Sequence, residues 1–279
     1  MKLAKGVVFF FLIIALESCF NPPEFPIEPQ IDFQDIVFKK SSGAAKDSLI
    51  LTITFKDGDG DLGVDGDNTK YSDYPFHPIN YFLAKNGELL TISTFKPFED
   101  IPAIFKVDNG QSGKLASIRT RNETGYEDLP EFNCYNYTYD SVYVQEADKD
   151  IFDNSYYLKK IIPEVQGVHP TIYHLLDTFY IEKNTNHYNI TLDFQIRNSN
   201  GTYTDYDLEK ETCDPVGFDG RFPILTESKV PLEGTLRYSM ESSGLSIAFQ
   251  GKTLRLKVQI KDRALHLSNS VYTKDFMIN

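Results

Sequence analysis

Tryptophan is absent from this chain and cysteine is scarce, with three in 279 residues. A sugar-stacking platform would therefore have to be built from the 17 tyrosines and 21 phenylalanines, which argues mildly against one. The five histidines form no His-Glu-x-x-His pattern, and no cysteine pair stands at zinc spacing. A Gly-x-Ser-x-Gly elbow is missing, and no glycine loop of the phosphate-cradling kind precedes a helix. Positive charge is also short: 28 Lys and Arg face 40 Asp and Glu, for a net charge of −12. Such a surface repels nucleic acid and anionic headgroups, so a polyanion-binding role is disfavoured. Apolar residues nevertheless make up 41% of the chain, enough for a core and too many for a disordered polymer.

The N-terminus carries the clearest signal. Lys2 and Lys5 precede an apolar run from Gly6 to Leu16, which ends in Leu16-Glu17-Ser18-Cys19. The run falls short of the roughly 20 apolar residues of a membrane span. A basic start, a short apolar stretch and a small residue at the exit describe a secretory signal peptide. With a cysteine after the exit, the stretch resembles a bacterial lipoprotein signal with its lipobox, although Glu17 departs from that pattern. The resemblance implies a signal peptide over 1–18, cleavage before Cys19, and lipid on the Cys19 sulfur. Residues 19–30 follow with Pro22, Pro23, Pro26 and Pro29. Proline fixes φ and lacks an amide donor, so this segment reads as an extended tether. An exported compartment is oxidising, which makes Cys134 and Cys213 an expected disulfide; the alternative is two separate buried thiols.

From Ile31 onward the hydrophobic period is two. Leu49, Leu51, Ile53 and Phe55 alternate with polar residues, as do Ile190, Leu192, Phe194 and Ile196, and later Leu254, Leu256, Val258 and Ile260. Each run buries one face, as in an antiparallel sheet packed on one side. Asn86-Gly87 and Asn200-Gly201 supply the positive φ of tight hairpins. The expected fold class is all-β, with one or two antiparallel β-sandwich, immunoglobulin-like domains. One sandwich is placed at 31–130 and another at 175–279, joined by an irregular bridge or insertion over 131–174. The best helical candidate is Thr171–Asp177, where a strand is equally compatible.

Two segments could carry chemistry. Asp57, Asp59, Asp61, Asp65 and Asp67 fall within one glycine-rich loop. Calcium takes six to eight oxygens from carboxylates and carbonyls, which such a loop can supply. The EF-hand pattern fails, because Leu62 stands at position six and Asn68 at position twelve. An Asp-rich calcium loop at a strand end survives, beside the reading that these aspartates only cap local amides. The second segment, Ile260–Val271, resembles the last hairpin of bacterial immunoglobulin-like and fibronectin-like modules. Asp262 and Asn269 would then fix the turn, while His266 lacks a partner that the sequence can name. Tyr135, Tyr137 and Tyr139, with Tyr143, alternate and form a candidate aromatic binding strip, or simply belong to a sheet.

The lipobox, the tether, the strand Leu49–Phe55 running into Asp57–Gly63, the segment Phe218–Pro223 and the tail Asp262–Asn269 together resemble exported lipoproteins of Bacteroidota. The resemblance implies a lipid-anchored outer-membrane protein and names no activity. The acidic run that often marks surface display in that group is missing after Cys19, which favours the periplasmic leaflet. The expected role is a non-enzymatic accessory or scaffold subunit for an outer-membrane protein complex. A glycan-binding lipoprotein of a nutrient-uptake system and a carboxylate-dependent hydrolase are the alternatives. Calcium is the one cofactor expected, and nucleic acid is not an expected partner.

Overall fold

The computed structural model describes residues 23–40, 46–65, 75–78, 80–84, 87–96, 103–107, 114–124, 126, 129, 131, 141–145, 157–161, 172–213, 217–241 and 245–278. Cys19, Asp67, Cys134, Tyr135, Tyr137 and Tyr139 lie outside them. The strands of the first half are β1 (Gln30–Lys39), β2 (Ser48–Asp57), β3 (Tyr81–Leu83), β4 (Leu89–Leu90), β5 (Ile92–Phe95), β6 (Ile104–Val107) and β7 (Ser141–Gln145). Those of the second half are β8 (Tyr157–Ile161), β9 (Ile172–Leu176), β10 (Ile181–Glu182), β11 (Ile190–Arg197), β12 (Tyr203–Tyr206), β13 (Leu232–Glu241), β14 (Thr253–Ile260), β15 (Val271–Tyr272) and β16 (Phe276–Met277). Two single-turn helices, α1 (Leu208–Thr212) and α2 (Leu245–Phe249), are the α-helices among the described residues. The protein is all-β, built from several mainly antiparallel sheets. No helix among the described residues is long and apolar enough to cross a membrane.

The period-two runs become the central strands. β2 lies between β1 and β13, both antiparallel to it, and Leu49, Leu51 and Ile53 lose all exposure along its inner face. β14 pairs with β11, and a second inner row, Leu254, Leu256, Val258 and Ile260, is equally buried. Both rows belong to one hydrophobic cluster, to which Ile190, Leu192 and Phe194 of β11 also contribute. Each such side chain contributes about 1.5–3 kcal/mol through removal from water. Helix α2 closes this core: Phe249 stacks on Phe194 with ring centroids 5.1 Å apart.

Two expectations meet a different arrangement. The segments 31–130 and 175–279 read as separate sandwiches in sequence, yet β2 pairs with β13 along ten residues and shares its core with β11 and β14. Hydrophobic alternation sets which face of a strand is buried, not which strand lies beside it. The bridge 131–174 is not wholly irregular either. It holds β7, β8 and most of β9, which join β5 and β6 in a five-stranded sheet of order β5-β6-β7-β9-β8. Thr171–Asp177 resolves to strand, as β9. A separate cluster of Phe82, Ala84, Leu90, Ile92, Phe105, Leu115, Val144 and Phe179 packs these shorter strands. They are too short to display a clean period, which is why the segment reads as irregular.

The strand directions bring distant segments to one end of the principal core. The start of β1 faces the end of β2, since Gln30 pairs with Lys56, and Leu232 of β13 pairs with Asp57. Leu62 bridges to Asp262 just beyond β14. The opposite end carries the Asn200-Gly201 hairpin between β11 and β12.

Candidate metal centre

The inner row of β2 does not stop at Phe55. The same period puts Asp57 inward as its next member, and that residue is fully buried. The inner row of β14 likewise continues one step past Ile260 to Asp262, which is 1% exposed. Both buried faces thus end in a carboxylate at the same end of the molecule. Beyond Asp57 the loop doubles back: Gly60 and Gly63 take positive φ values of 70° and 93°. A Cβ on either would collide with backbone of Ser228–Val230 or Pro223–Ile224, so the loop lies directly on that segment. Glycine alone has both the conformational range and the small size needed.

This folding gathers Asp57, Asp59 and Asp61, each offering a carboxylate oxygen, with these oxygens within 4.8 Å of one another. Asp57 Oδ2 accepts from the Asp61 amide at 2.9 Å, and Asp61 Oδ2 from the Ala264 amide at 3.1 Å. The Oδ1 atoms of Asp57, Asp59 and Asp61 are buried and accept no hydrogen bond from protein. Arg263 braces the loop from outside, donating from Nη1 to the carbonyls of Leu62 and Gly63 at 3.2 and 3.1 Å. Asp262 is held by the amide of His266 and by its Nδ1, both at 2.8 Å.

Burial pushes the Asp57 carboxyl up to about 6, reinforced by the charges of Asp59, Asp61 and Asp262. Asp61 is raised by burial and then by Asp262 and Asp59, against the pull of Arg263. Asp262 is raised chiefly by burial, which outweighs its bonds from His266. The imidazole of His266 is shifted the other way, toward its charged form, by the Asp262 hydrogen bond. Without a cation, the cluster therefore concentrates carboxylates where ionisation is disfavoured.

Of the five loop aspartates named from sequence, three converge. Asp65 is directed elsewhere, its charge acting on Arg221, after Val64 has bonded to the Phe222 carbonyl at 3.1 Å. Asp67 lies outside the described residues. Asp262 bonds within its turn, as its sequence context suggests, and also stands beside the cluster, a placement that spacing along the chain does not reveal. The overlooked signal is phase: Asp57 and Asp262 sit two residues after the last apolar member of each row. Asn269 does more than stabilise its own hairpin. Its Oδ1 accepts from the Ile31 amide at 2.8 Å and its Nδ2 donates to the Ile31 carbonyl at 2.9 Å, tying the C-terminal turn to β1.

Elsewhere, Cys213 ends α1 at a φ of 56° and is disulfide-bonded. Tyr143 stacks flat on His174 with centroids 4.5 Å apart, while the other strip tyrosines lie outside the described residues. A polar groove of about 470 Å³ runs along β11 and β12 beneath α1. There Lys183 Nζ lies 2.7 Å from Glu209 and 3.7 Å from Asp219, so one ammonium holds two carboxylates.

No family model, curated protein or solved structure matches the chain.

Proposed function

We propose that this chain is a non-enzymatic, lipid-anchored envelope protein whose immunoglobulin-like β-sandwich serves as an accessory or scaffold subunit of an outer-membrane complex. Cys19 carries the anchor in this reading, with the periplasmic leaflet preferred. The supporting observation is that the tether is strapped to the core. The Phe25 and Pro26 carbonyls lie against Gly58, where a Cβ would collide with them. Lys56 Nζ sits 5.6 Å above the Phe25 ring, Pro29 is buried, and Ile31 is clasped by Asn269. A docked tether gives the anchored end a set orientation and presents the Asn200-Gly201 end away from it. Rigid presentation is what a scaffold requires and a freely diffusing enzyme does not.

The glycan-binding alternative gains little from Tyr203, Tyr206 and Tyr272, whose rings lie against cations. Arg255 lies 3.5 Å from the Tyr203 ring centroid and 4.4 Å from that of Tyr272, and Lys252 lies 5.3 Å from Tyr206. The groove favours the hydrolase as a second reading, through Glu209 and Asp219, although both are paired with Lys183. Turnover of a glycoside panel that disappears in Glu209→Gln would establish it.

The scaffold reading is tested on the full chain in its native envelope. Mild detergent extraction followed by native gel electrophoresis should place the protein in a complex well above the mass of one chain, which is 31.9 kDa before signal cleavage. Cys19→Ala should release it from the membrane fraction and from that complex. Migration of the wild type as a free monomer would overturn the reading.

A further inference from the structure

We propose that Asp57, Asp59 and Asp61 form a binding site for one divalent cation of the calcium class. The inference stands on the geometry of the loop and does not depend on the scaffold reading. Three acidic side chains in a loop would mean little alone. The decisive observation is Asp57, which has no exposed surface and whose Oδ1 accepts nothing from the protein. A buried oxygen without a donor is a group built for a partner that is not protein. Asp59 Oδ1 and Asp61 Oδ1 are in the same condition, and the three residues offer oxygens within 4.8 Å of each other. That spacing suits an ion whose oxygen bonds are about 2.4 Å long, because oxygens on opposite sides of it stand about twice that distance apart.

The remaining contacts explain why the gap has the shape of a cation site. The second oxygens of Asp57 and Asp61 are used by backbone amides, which orient both carboxylates and leave one oxygen each for an ion. Asp262, with 0% side-chain exposure, adds negative charge beside the cluster while His266 holds both its oxygens. The nearest bracing cation, Arg263, is committed to carbonyls of Leu62 and Gly63. Calcium tolerates six to eight ligands in irregular geometry, so loop carbonyls and water can complete its sphere; magnesium demands a tight octahedron and keeps its water.

The test uses the full chain, extracted in detergent and stripped with chelator. Calcium titrated into it by calorimetry should bind once per chain. At a hundredfold excess over Kd, calcium should raise the melting temperature by about 5–10 °C. Magnesium at the same concentration should bind at least tenfold more weakly. Asp57→Asn and, separately, Asp59→Asn should lose the calorimetric signal and the thermal shift, while Asp65→Asn keeps both. Asp59→Asn covers the case in which the Asp57 variant fails to fold. Absence of calcium binding in the wild type, binding retained in both cluster variants, or magnesium binding as tightly as calcium would each overturn the proposal.

Discussion

Asp57 is a carboxylate placed where the strand would otherwise bury a fifth apolar side chain. Its pKa is raised from 3.8 to about 6, so between those values the folded state binds the proton more tightly than the unfolded chain. Stability from this group is therefore full below about pH 4 and is lost as pH rises toward 6. Asp61 and Asp262 are raised as well and act with the same sign. In chelator, Asp57→Asn removes the penalty, so its advantage over wild type should grow between pH 4 and pH 6 and then level off. Urea midpoints measured across that range check this, and a constant difference would contradict it. A second residue-scale case is Asn189, 2% exposed. Its Nδ2 donates to the Phe222 carbonyl at 2.9 Å and its Oδ1 accepts from the Phe222 amide at 2.8 Å. Asn189→Ala leaves the buried Phe222 amide unpaired and its carbonyl with the Val64 bond alone, and should cost about 1–3 kcal/mol by denaturant unfolding. Asn189→Asp should also destabilise, because it keeps the acceptor and loses the donor.

At the scale of elements, β2 is the strand on which the principal core depends. It pairs on both sides, with β1 and with β13, and its inner residues have almost no exposure. Leu51→Ala should cost about 2–5 kcal/mol, the range for a buried leucine whose neighbours relax only partly. The same change at Val37, which is 47% exposed on β1, should stay within about 0.5 kcal/mol. Comparable losses at both positions would mean that the inner and outer faces have been misassigned. The single-turn helices have a different origin. Leu208–Thr212 starts at Asp207, whose side chain accepts from the Lys210 amide, and ends at Cys213 in the left-handed conformation. Its stability comes from a cap and from the Lys183–Glu209 ion pair at 2.7 Å, since an isolated turn is not stable in water.

On the scale of the whole molecule, the proposed anchor and the bridge draw on three cysteines. Cys213 is disulfide-bonded, so its partner is Cys19 or Cys134. The proposed lipid on Cys19 would consume its sulfur and leave Cys134 as the expected partner, so one experiment bears on both anchor and bridge. Non-reducing peptide mapping of the mature protein should return a Cys134–Cys213 peptide and a lipid-modified Cys19. A Cys19–Cys213 peptide would remove both. Reduction should lower stability by about 2–5 kcal/mol, because an unbridged loop of about 80 residues regains conformational freedom when unfolded.

Alternation along single strands was enough to identify an all-β protein and to assign the inner faces of β2, β11 and β14. A side chain's side of a pleated strand is a local property, repeating every two residues. Local composition also singled out Asp57, Asp59 and Asp61, with Asp65 and Asp67, as candidate cation ligands, because nearby positions in one loop lie near one another. Strand partnership is non-local, so the pairing of β2 with β13 and the sharing of one core by both ends of the chain emerged only from the fold. The same holds for the exclusion of Asp65, whose charge acts on Arg221 instead, and for the arrival of Asp262 from far along the sequence. A loop's residues set which oxygens are available; the packing around it decides which of them are left without a donor.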